Sequence, residues 1–468
     1  MRPLLAIALV ALSGCALAGH GPVRAPPLVD EGELHVYLAP FPHESHRLTF
    51  AIRDLAAVTE GGEAVSLPLG LTTLAGATQL RDQRILVSGR LPHGRYTGLR
   101  FTAASGKLTG DDEPIDLLVP KEPARVDVPF ELLAGRAVVL VLSFDMAASV
   151  RGGFEFAPRF HGVVAARTSP GLVAACSSAQ GNGVTLFDSL SKVVAGLVAT
   201  GQAPQGLALD PIGNRGYAAL SGQDQVEIFD LSRGERLQRL NVGAGDAPRV
   251  LLLLPDRRTL LVVNDLSRSA VFLDTTTGQE LARVAVGEGP RAVTPLRSGN
   301  RAVVVNRRSA SLTLLDLATR QAIATVPTDP EPLQAQVSRD GNRLYVIQAG
   351  SISMAEYALP GFIVQKRIRV GLGASTLKLD PRSDLLYLAH AEDPHVEVYD
   401  PVLGLPIDGF DLPAWPSQMT IDDQQDQLFA VMPSRRSVAV VDLVNRRLVA
   451  ELALPAEPFE LRLAGERY

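Results

Sequence analysis

Two independent sets of positions recur with one period across the C-terminal two thirds of the chain. An apolar–Asp pair ends a segment at Phe187-Asp188, Phe229-Asp230, Leu273-Asp274, Leu315-Asp316, Tyr399-Asp400 and Val441-Asp442, at intervals of 42, 44, 42, 84 and 42 residues. The double interval places a seventh copy at Tyr357-Ala358, where the Asp is lost. Proline marks a second register at Pro204, Pro248, Pro290, Pro332, Pro416 and Pro458, stepping by 44, 42, 42, 84 and 42, and Ala374 fills the gap. A repeat of this length is one supersecondary unit that cannot bury its own faces and must stack on its neighbours. Within one unit, short apolar runs at 207–210, 216–220, 226–230 and 237–242 read as strands, with a turn at 211–214. Four strands per repeat are the content of a β-propeller blade, and seven anchors imply seven blades.

The ends of the repeat predict closure. The segment Pro458-Phe459-Glu460-Leu461-Arg462-Leu463 starts a unit, while Asp188 is preceded only by apolar runs at 172–176 and 184–187, a unit lacking its first strand. The C-terminal strand is therefore expected to become the innermost strand of the first blade. This region resembles the YVTN family of seven-bladed propellers. The matching residues are Leu207-Ala208-Leu209-Asp210-Pro211 with Gly213-Asn214-Arg215, Gly341-Asn342-Arg343-Leu344-Tyr345-Val346, and Leu261-Val262-Val263-Asn264. The last Asn of the family motif stands at Asn264 and Asn306 and is replaced by Cys176, Leu220, Gln348, His390 and Met432. The resemblance spans about 172–466 and implies the fold. It implies no single function, because such propellers serve as surface proteins, binding platforms and occasionally enzymes.

The preceding region also reads as all-β. Alternating segments at 33–38, 47–55, 65–69, 84–89, 97–103, 115–119, 125–130 and 137–144 are separated by turn residues such as Gly61-Gly62, Pro92-His93-Gly94 and Gly135. Their number and spacing predict a β-sandwich of immunoglobulin or transthyretin type over 32–166. The stretches 91–100, 142–150 and 154–160 resemble a secreted β-sandwich domain of unknown function found in bacterial lipoproteins. That resemblance implies no catalytic residue.

The first residues predict the compartment. Arg2 precedes a nine-residue apolar run, 4–12, too short to span a bilayer and of the length of a signal-peptide core. Leu12-Ser13-Gly14-Cys15 follows and resembles the lipobox of bacterial lipoproteins. The resemblance implies cleavage after residue 14, lipidation of Cys15 and membrane anchoring. Ala16 after the Cys implies the outer membrane, facing the periplasm or the cell surface. Residues 15–31, with Gly19, Gly21, Pro22, Pro26 and Pro27, read as a tether. Residues 167–468 complete the expected organisation as the propeller.

Composition limits the chemistry. A net charge of −5 without a basic tract argues against a nucleic-acid partner. Two cysteines exclude a disulfide scaffold or Cys-rich metal site. No phosphate loop, dinucleotide Gly motif or His-Glu-x-x-His is present. No cofactor or metal is expected; the pair His43 and His46 lacks further ligands, and Cys176 reads as a small buried hydrophobe.

In a propeller the loops joining strands two and three share a face with the loops between blades. That face would carry Arg307, Arg308, Arg435, Arg436, Glu392, Asp393 and His395, with His390 at a strand end and Trp415, the only Trp, in an interblade loop. The two Arg pairs lie three repeats apart and would face each other across the axis, able to clamp a carboxylate or phosphate. Asp188, Asp230, Asp274, Asp316, Asp400 and Asp442 are expected to bond backbone amides of the following turn. No nucleophile–base constellation can be placed. The expectation is a lipid-anchored envelope binding or scaffold protein with a protein or envelope-polymer partner. The alternative is a propeller hydrolase or lyase, lactonase-like, working at the axial mouth through His390, Glu392 and Asp393.

Overall fold

The computed structural model describes residues 30–110, 113–297 and 299–466. The expected signal segment, Cys15 and nearly all of the tether lie outside the described residues. The chain is all-β, with helical structure limited to a few short turns among the described residues. Among the described residues no helix is long and apolar enough to cross a membrane.

From Val173 onward the strands form successive four-stranded sheets. Pro204–Asp210, Arg215–Leu220, Gln225–Asp230 and Arg236–Asn241 pair in chain order from the inside outward. The same meander is built from Pro248–Leu253, Pro290–Pro295, Pro332–Val337, Ala374–Leu379 and Gln418–Asp422 as innermost strands. One sheet departs from chain order. Val173–Ser178, Gly183–Asp188 and Val193–Ala199 take Glu460–Leu463 as their fourth member. Leu461 stands opposite Cys176 and Leu463 opposite Ala174, an antiparallel pairing across almost three hundred residues. Inner strands pack one against the next; Gln418–Asp422 packs on Glu460–Leu463, which packs on Pro204–Asp210.

This layering explains the composition of the strands. The middle strands Thr259–Asn264 and Ser269–Asp274 are buried throughout, because a sheet covers each face. They therefore read as continuous apolar runs. The outermost strands Arg236–Asn241 and Gln321–Pro327 are largely exposed. The core lies between sheets: Leu252, Leu261, Val263 and Phe272 of one pack on Ala302, Val304 and Leu315 of the next. Each such Val, Leu or Phe side chain contributes about 1.5–3 kcal/mol by leaving water.

Both repeating anchors have local causes. Every anchor Pro, and Ala374, is buried. The residue before it is left-handed at Ala203, Ala247, Gly289, Glu331 and Gly373, with φ of 54°, 51°, 62°, 54° and 83°. Carboxylate oxygens of Asp224 accept from the Gly245 and Ala247 amides at 2.8 Å each, which fixes one of these entries. The anchor Asp residues cap the turns that follow them. Asp188 accepts from the Leu190 and Ser191 amides, Asp230 from Ser232 and Arg233, Asp274 from Thr276 and Thr277. Asp316, Asp400 and Asp442 do the same with Ala318 and Thr319, Val402 and Leu403, and Val444 and Asn445. The Thr277 amide and the Arg258 guanidinium hold the Asp274 carboxyl down to about 2. The Thr319 and Asn445 amides likewise hold Asp316 and Asp442 below the ordinary range.

Residues 31–164 form two larger sheets over one core. One has the order Arg159–Val164, Ala137–Asp145, Glu31–Leu38, Arg84–Pro92, with its middle pair parallel. The other is built on Leu48–Thr59 and Gly94–Thr109, with Ala64–Leu67, Thr73–Ala75, Pro114–Asp116 and Ala124–Leu132 around them. Between them lie Leu34, Val36, Phe50, Phe101, Phe144 and Phe160. The Phe50 ring sits 5.4 Å from Phe144 and 4.9 Å from Phe156.

Several expected boundaries move. The strand at 97–103 is the middle of the longer Gly94–Thr109, which pairs with Leu48–Thr59 along one edge. The strand at 115–119 contracts to Pro114–Asp116. Strand Thr73–Ala75 is too short to show a period. His43 and His46 lie in the 3-10 turn His43–Arg47, where His46 Nδ1 bonds the His43 carbonyl at 3.0 Å.

The N-terminal sheets press on the outermost strands Val193–Ala199 and Arg447–Ala453, which flank the C-terminal pairing. Gln83 Oε1 accepts from the Val194 amide at 2.9 Å, and Asp82 Oδ1 accepts from the Glu451 amide at 3.2 Å. Tyr37, fully buried, donates to the Ala453 carbonyl at 3.3 Å and joins Val139, Phe187, Phe429 and Leu461 in one core.

Two outcomes follow from this packing. Leu461 is fully buried at the closing strand, so Leu461→Ala is expected to cost about 3 kcal/mol, whereas Val444→Ala at an exposed turn stays within about 0.5 kcal/mol; denaturant melts read both. The capping carboxyls bind protons more weakly folded than unfolded, where an Asp titrates near 3.9. Their contribution is therefore present above about pH 5 and lost as pH falls through the folded values toward about 2. The thermal midpoint should be flat from neutral to mildly acidic pH and then fall, less steeply in the double variant Asp274→Asn, Asp316→Asn. An unchanged slope in that variant would contradict the assignment.

Candidate functional site

The inner strands begin at the anchors, and the residues just after them line one cavity. Arg249, Arg291, Leu333, Ser417 and Phe459, each directly following an anchor Pro, are in its wall. Its volume is about 1000 Å³. The rim comes from two loop sets on one face: Gln180, Ser434 and Arg436 between second and third strands, and Trp415, Pro455 and Glu457 between sheets. Deeper in, Glu460 pairs with Arg462 at 2.6 Å. Beyond it, outside the cavity wall, Glu466 takes Lys378 at 2.6 Å and the Thr420 hydroxyl at 2.7 Å. Burial pushes the Glu460 carboxyl up against the Arg462 guanidinium.

One quadrant of the wall is positive. Arg249 lies 3.8 Å from Asp265, with its guanidinium carbon 5.5 Å from the Phe459 ring centre. Arg308 takes the same Asp265 at 3.0 Å, and Arg307 takes Glu331 at 3.2 Å. Arg291, half-buried, makes no hydrogen bond or ion pair among the described residues. Burial and the charges of Arg249 and Arg307 push its guanidinium down to about 10, still protonated at neutral pH. Ser417 Oγ in the same wall is buried without a hydrogen-bond partner among the described residues.

The structure sorts the expected site residues. Trp415 and Arg436 line the cavity, Trp415 half-buried and Arg436 exposed at the rim. Arg435 turns away to a two-bond pair with Glu451 at 2.8 and 3.1 Å, so it is not part of an axial clamp. Arg307 and Arg308 lie beside the positive quadrant, held by their carboxylates. His390, Glu392, Asp393 and His395 are not in the cavity wall. His390 Nε2 bonds the Val370 carbonyl at 2.8 Å, His395 Nδ1 bonds Asp411 at 2.7 Å, and Asp393 caps the His395 amide. Of the expected acid–base trio, His390 and Asp393 bond backbone groups, and none of His390, Glu392 and Asp393 lies in the cavity wall. Cys176 is a free, buried thiol, pushed up by burial.

Sequence reasoning passed over Arg249 and Arg291, although the Pro register marks their position one residue on. It also missed a buried chain in which Ser88 Oγ lies 2.9 Å from His35 Nδ1 and His35 Nε2 lies 3.2 Å from Glu33. Ser88 and His35 stand directly opposite on paired strands, with Glu33 two residues along. They border a second cavity of about 400 Å³ shared with Gly181 and Pro455 of the propeller-like sheets. No group of three or more His, Cys, Asp or Glu able to hold a metal occurs among the described residues.

Comparison with known proteins places the fold. Residues 172–382 match the family described as YNCE-like β-propeller. No curated protein matches the chain. Among solved structures, hydrazine synthase of Kuenenia stuttgartiensis is similar at 19% identity and a TM-score of 0.52, over 59% of this chain and 94% of that one. A functionally unknown protein from Desulfotomaculum acetoxidans is similar at 10% identity and a TM-score of 0.55, over 63% and 99%. The dihydro-heme d1 dehydrogenase NirN in complex with DHE is similar at 16% identity and a TM-score of 0.51, over 64% and 77%. At these identities the likeness is one of fold. The chain thus carries a YNCE-like β-propeller domain at residues 172–382.

Proposed function

We propose that this chain is a lipid-anchored binding protein of the bacterial cell envelope. In this reading Cys15 holds it to the membrane, most simply the outer membrane, and residues 32–166 form a β-sandwich that spaces and braces the rest. The sheets of residues 167–468 are seven blades of one closed ring, whose open end takes the ligand. The tail pairing of Glu460–Leu463 with Val173–Ser178 supports the closed ring. The observation that carries the function is the cavity itself. About 1000 Å³ is ample for a small molecule or the end of a polymer. Its wall mixes Trp415, Phe459 and Leu333 with arginines. Its described lining residues include Ser417 and the carboxylates of Glu457 and Glu460 but no His or Cys.

One observation favours the alternative reading of a hydrolase: the Ser88–His35–Glu33 chain. Its site would be the smaller cavity rather than the ring's open end. The binding reading holds that this chain is a cross-strand polar network.

Three measurements decide between them. Cys15→Ala should move the protein from the membrane fraction to the soluble envelope fraction; retention in the membrane would contradict the anchor. A serine-directed fluorophosphonate should leave Ser88 unlabelled, and labelling abolished by Ser88→Ala would favour the hydrolase. Trp415 is the sole Trp, so its emission should respond to any ligand that fills the cavity, with the response absent in Trp415→Phe.

A further inference from the structure

We propose that the cavity is an oxyanion site, in which Arg249 and Arg291 seat a phosphoryl or carboxylate group of an acid with an apolar or ring-shaped body. This deepens the binding reading above and rests on it. The argument begins with the repeat. Arg249 and Arg291 occupy the same position, one residue after the anchor Pro, on neighbouring inner strands. Side chains at that position line the cavity in five sheets, and in only these two are they charged.

The second step is charge balance. Arg307 and Arg308, from the turn above the same quadrant, are matched by Glu331 and Asp265. Asp265 is shared, since Arg249 also approaches it at 3.8 Å. Arg291 has no carboxylate within ion-pair distance among the described residues, although it is half-buried beside two like charges. Of these four guanidiniums Arg291 is the one left without a carboxylate at ion-pair distance among the described residues. Partly burying an uncompensated charge is costly unless a counter-charge arrives. An oxyanion at Arg291 offsets both the lost hydration and the repulsion, with planar two-bond contacts that guanidiniums make to phosphate and carboxylate alike.

The rest of the wall defines the ligand's other end. Trp415, Phe459, Leu333 and Val293 offer flat and apolar surface, while Ser417 Oγ and the Gln180 and Glu457 side chains offer polar contacts. Glu457 is held at the rim by the Gln180 amide and Glu460 is neutralised by Arg462, which leaves the arginine quadrant as the place for the ligand's anionic end.

The test uses the mature chain with Cys15→Ala, monitored by Trp415 emission and titration calorimetry. The probes are sodium pyrophosphate, citrate, a neutral glucan oligosaccharide, and vesicles containing phosphatidylglycerol. Pyrophosphate or citrate should bind saturably, less tightly as KCl rises. Arg291→Gln should weaken that binding by about tenfold or more, and the exposed Arg233→Gln should not. Arg291→Gln should also keep or raise the thermal midpoint, which a structural arginine would not. Free acids binding without vesicles indicates a soluble ligand; vesicle binding lost in Arg291→Gln indicates a lipid headgroup. Equal affinity in Arg291→Gln, or no binding of any anionic probe, would overturn the oxyanion site. If the neutral oligosaccharide alone shifts Trp415 emission, the oxyanion site falls and the binding reading stands; if nothing shifts it, both fall.

Discussion

The antiparallel pairing of Glu460–Leu463 with Val173–Ser178 is the contact on which the remaining architecture depends. It supplies the inner strand that the first sheet lacks, and it places Leu461 and Leu463 in the core shared with Phe429, Val440 and Phe187. Without it, the sheets at either end of the array would each expose a face built of continuous apolar strands. The same pairing positions Phe459, Glu460 and Arg462 in the cavity wall, with Glu466 paired to Lys378 beyond it. Fold closure and site formation are therefore one event. The N-terminal sheets reinforce it from outside, because Gln83, Asp82 and Tyr37 bond the two outermost strands that flank the junction.

Much of this was legible in the chain because repetition averages out local ambiguity. A single apolar run of six residues does not distinguish a strand from a helical segment. A Pro and an Asp that both step by 42 do, since each marks a turn with a specific donor problem. The Asp solves it by accepting two amides; the Pro begins a strand with no amide to spare. The N-terminal region lacks such punctuation. There the strand edges depend on partners, as when Gly94–Thr109 runs on for 16 residues because it pairs along its whole length.

The site was only partly legible. Loop position brought Trp415 and Arg436 to the cavity, but loop charge is a poor guide by itself. Arg307, Arg308 and Arg435 stand in loops of that face and are satisfied by Glu331, Asp265 and Glu451. His390 and His395 likewise spend their ring nitrogens on a neighbouring carbonyl and carboxylate. What marks Arg291 is the absence of such a partner among the described residues, a property of three-dimensional arrangement that no spacing encodes. The Ser88–His35–Glu33 chain was illegible for a related reason. Ser88 and His35 are 53 residues apart, and only strand register brings them together.

Native-state hydrogen exchange tests the central claim most directly. If the tail seals the ring, the amides of residues 461–463 exchange only through global unfolding, as slowly as those of the inner strand Pro248–Leu253. Exchange of the tail at the rate of a free, fraying end, while the other inner strands stay protected, would contradict the account.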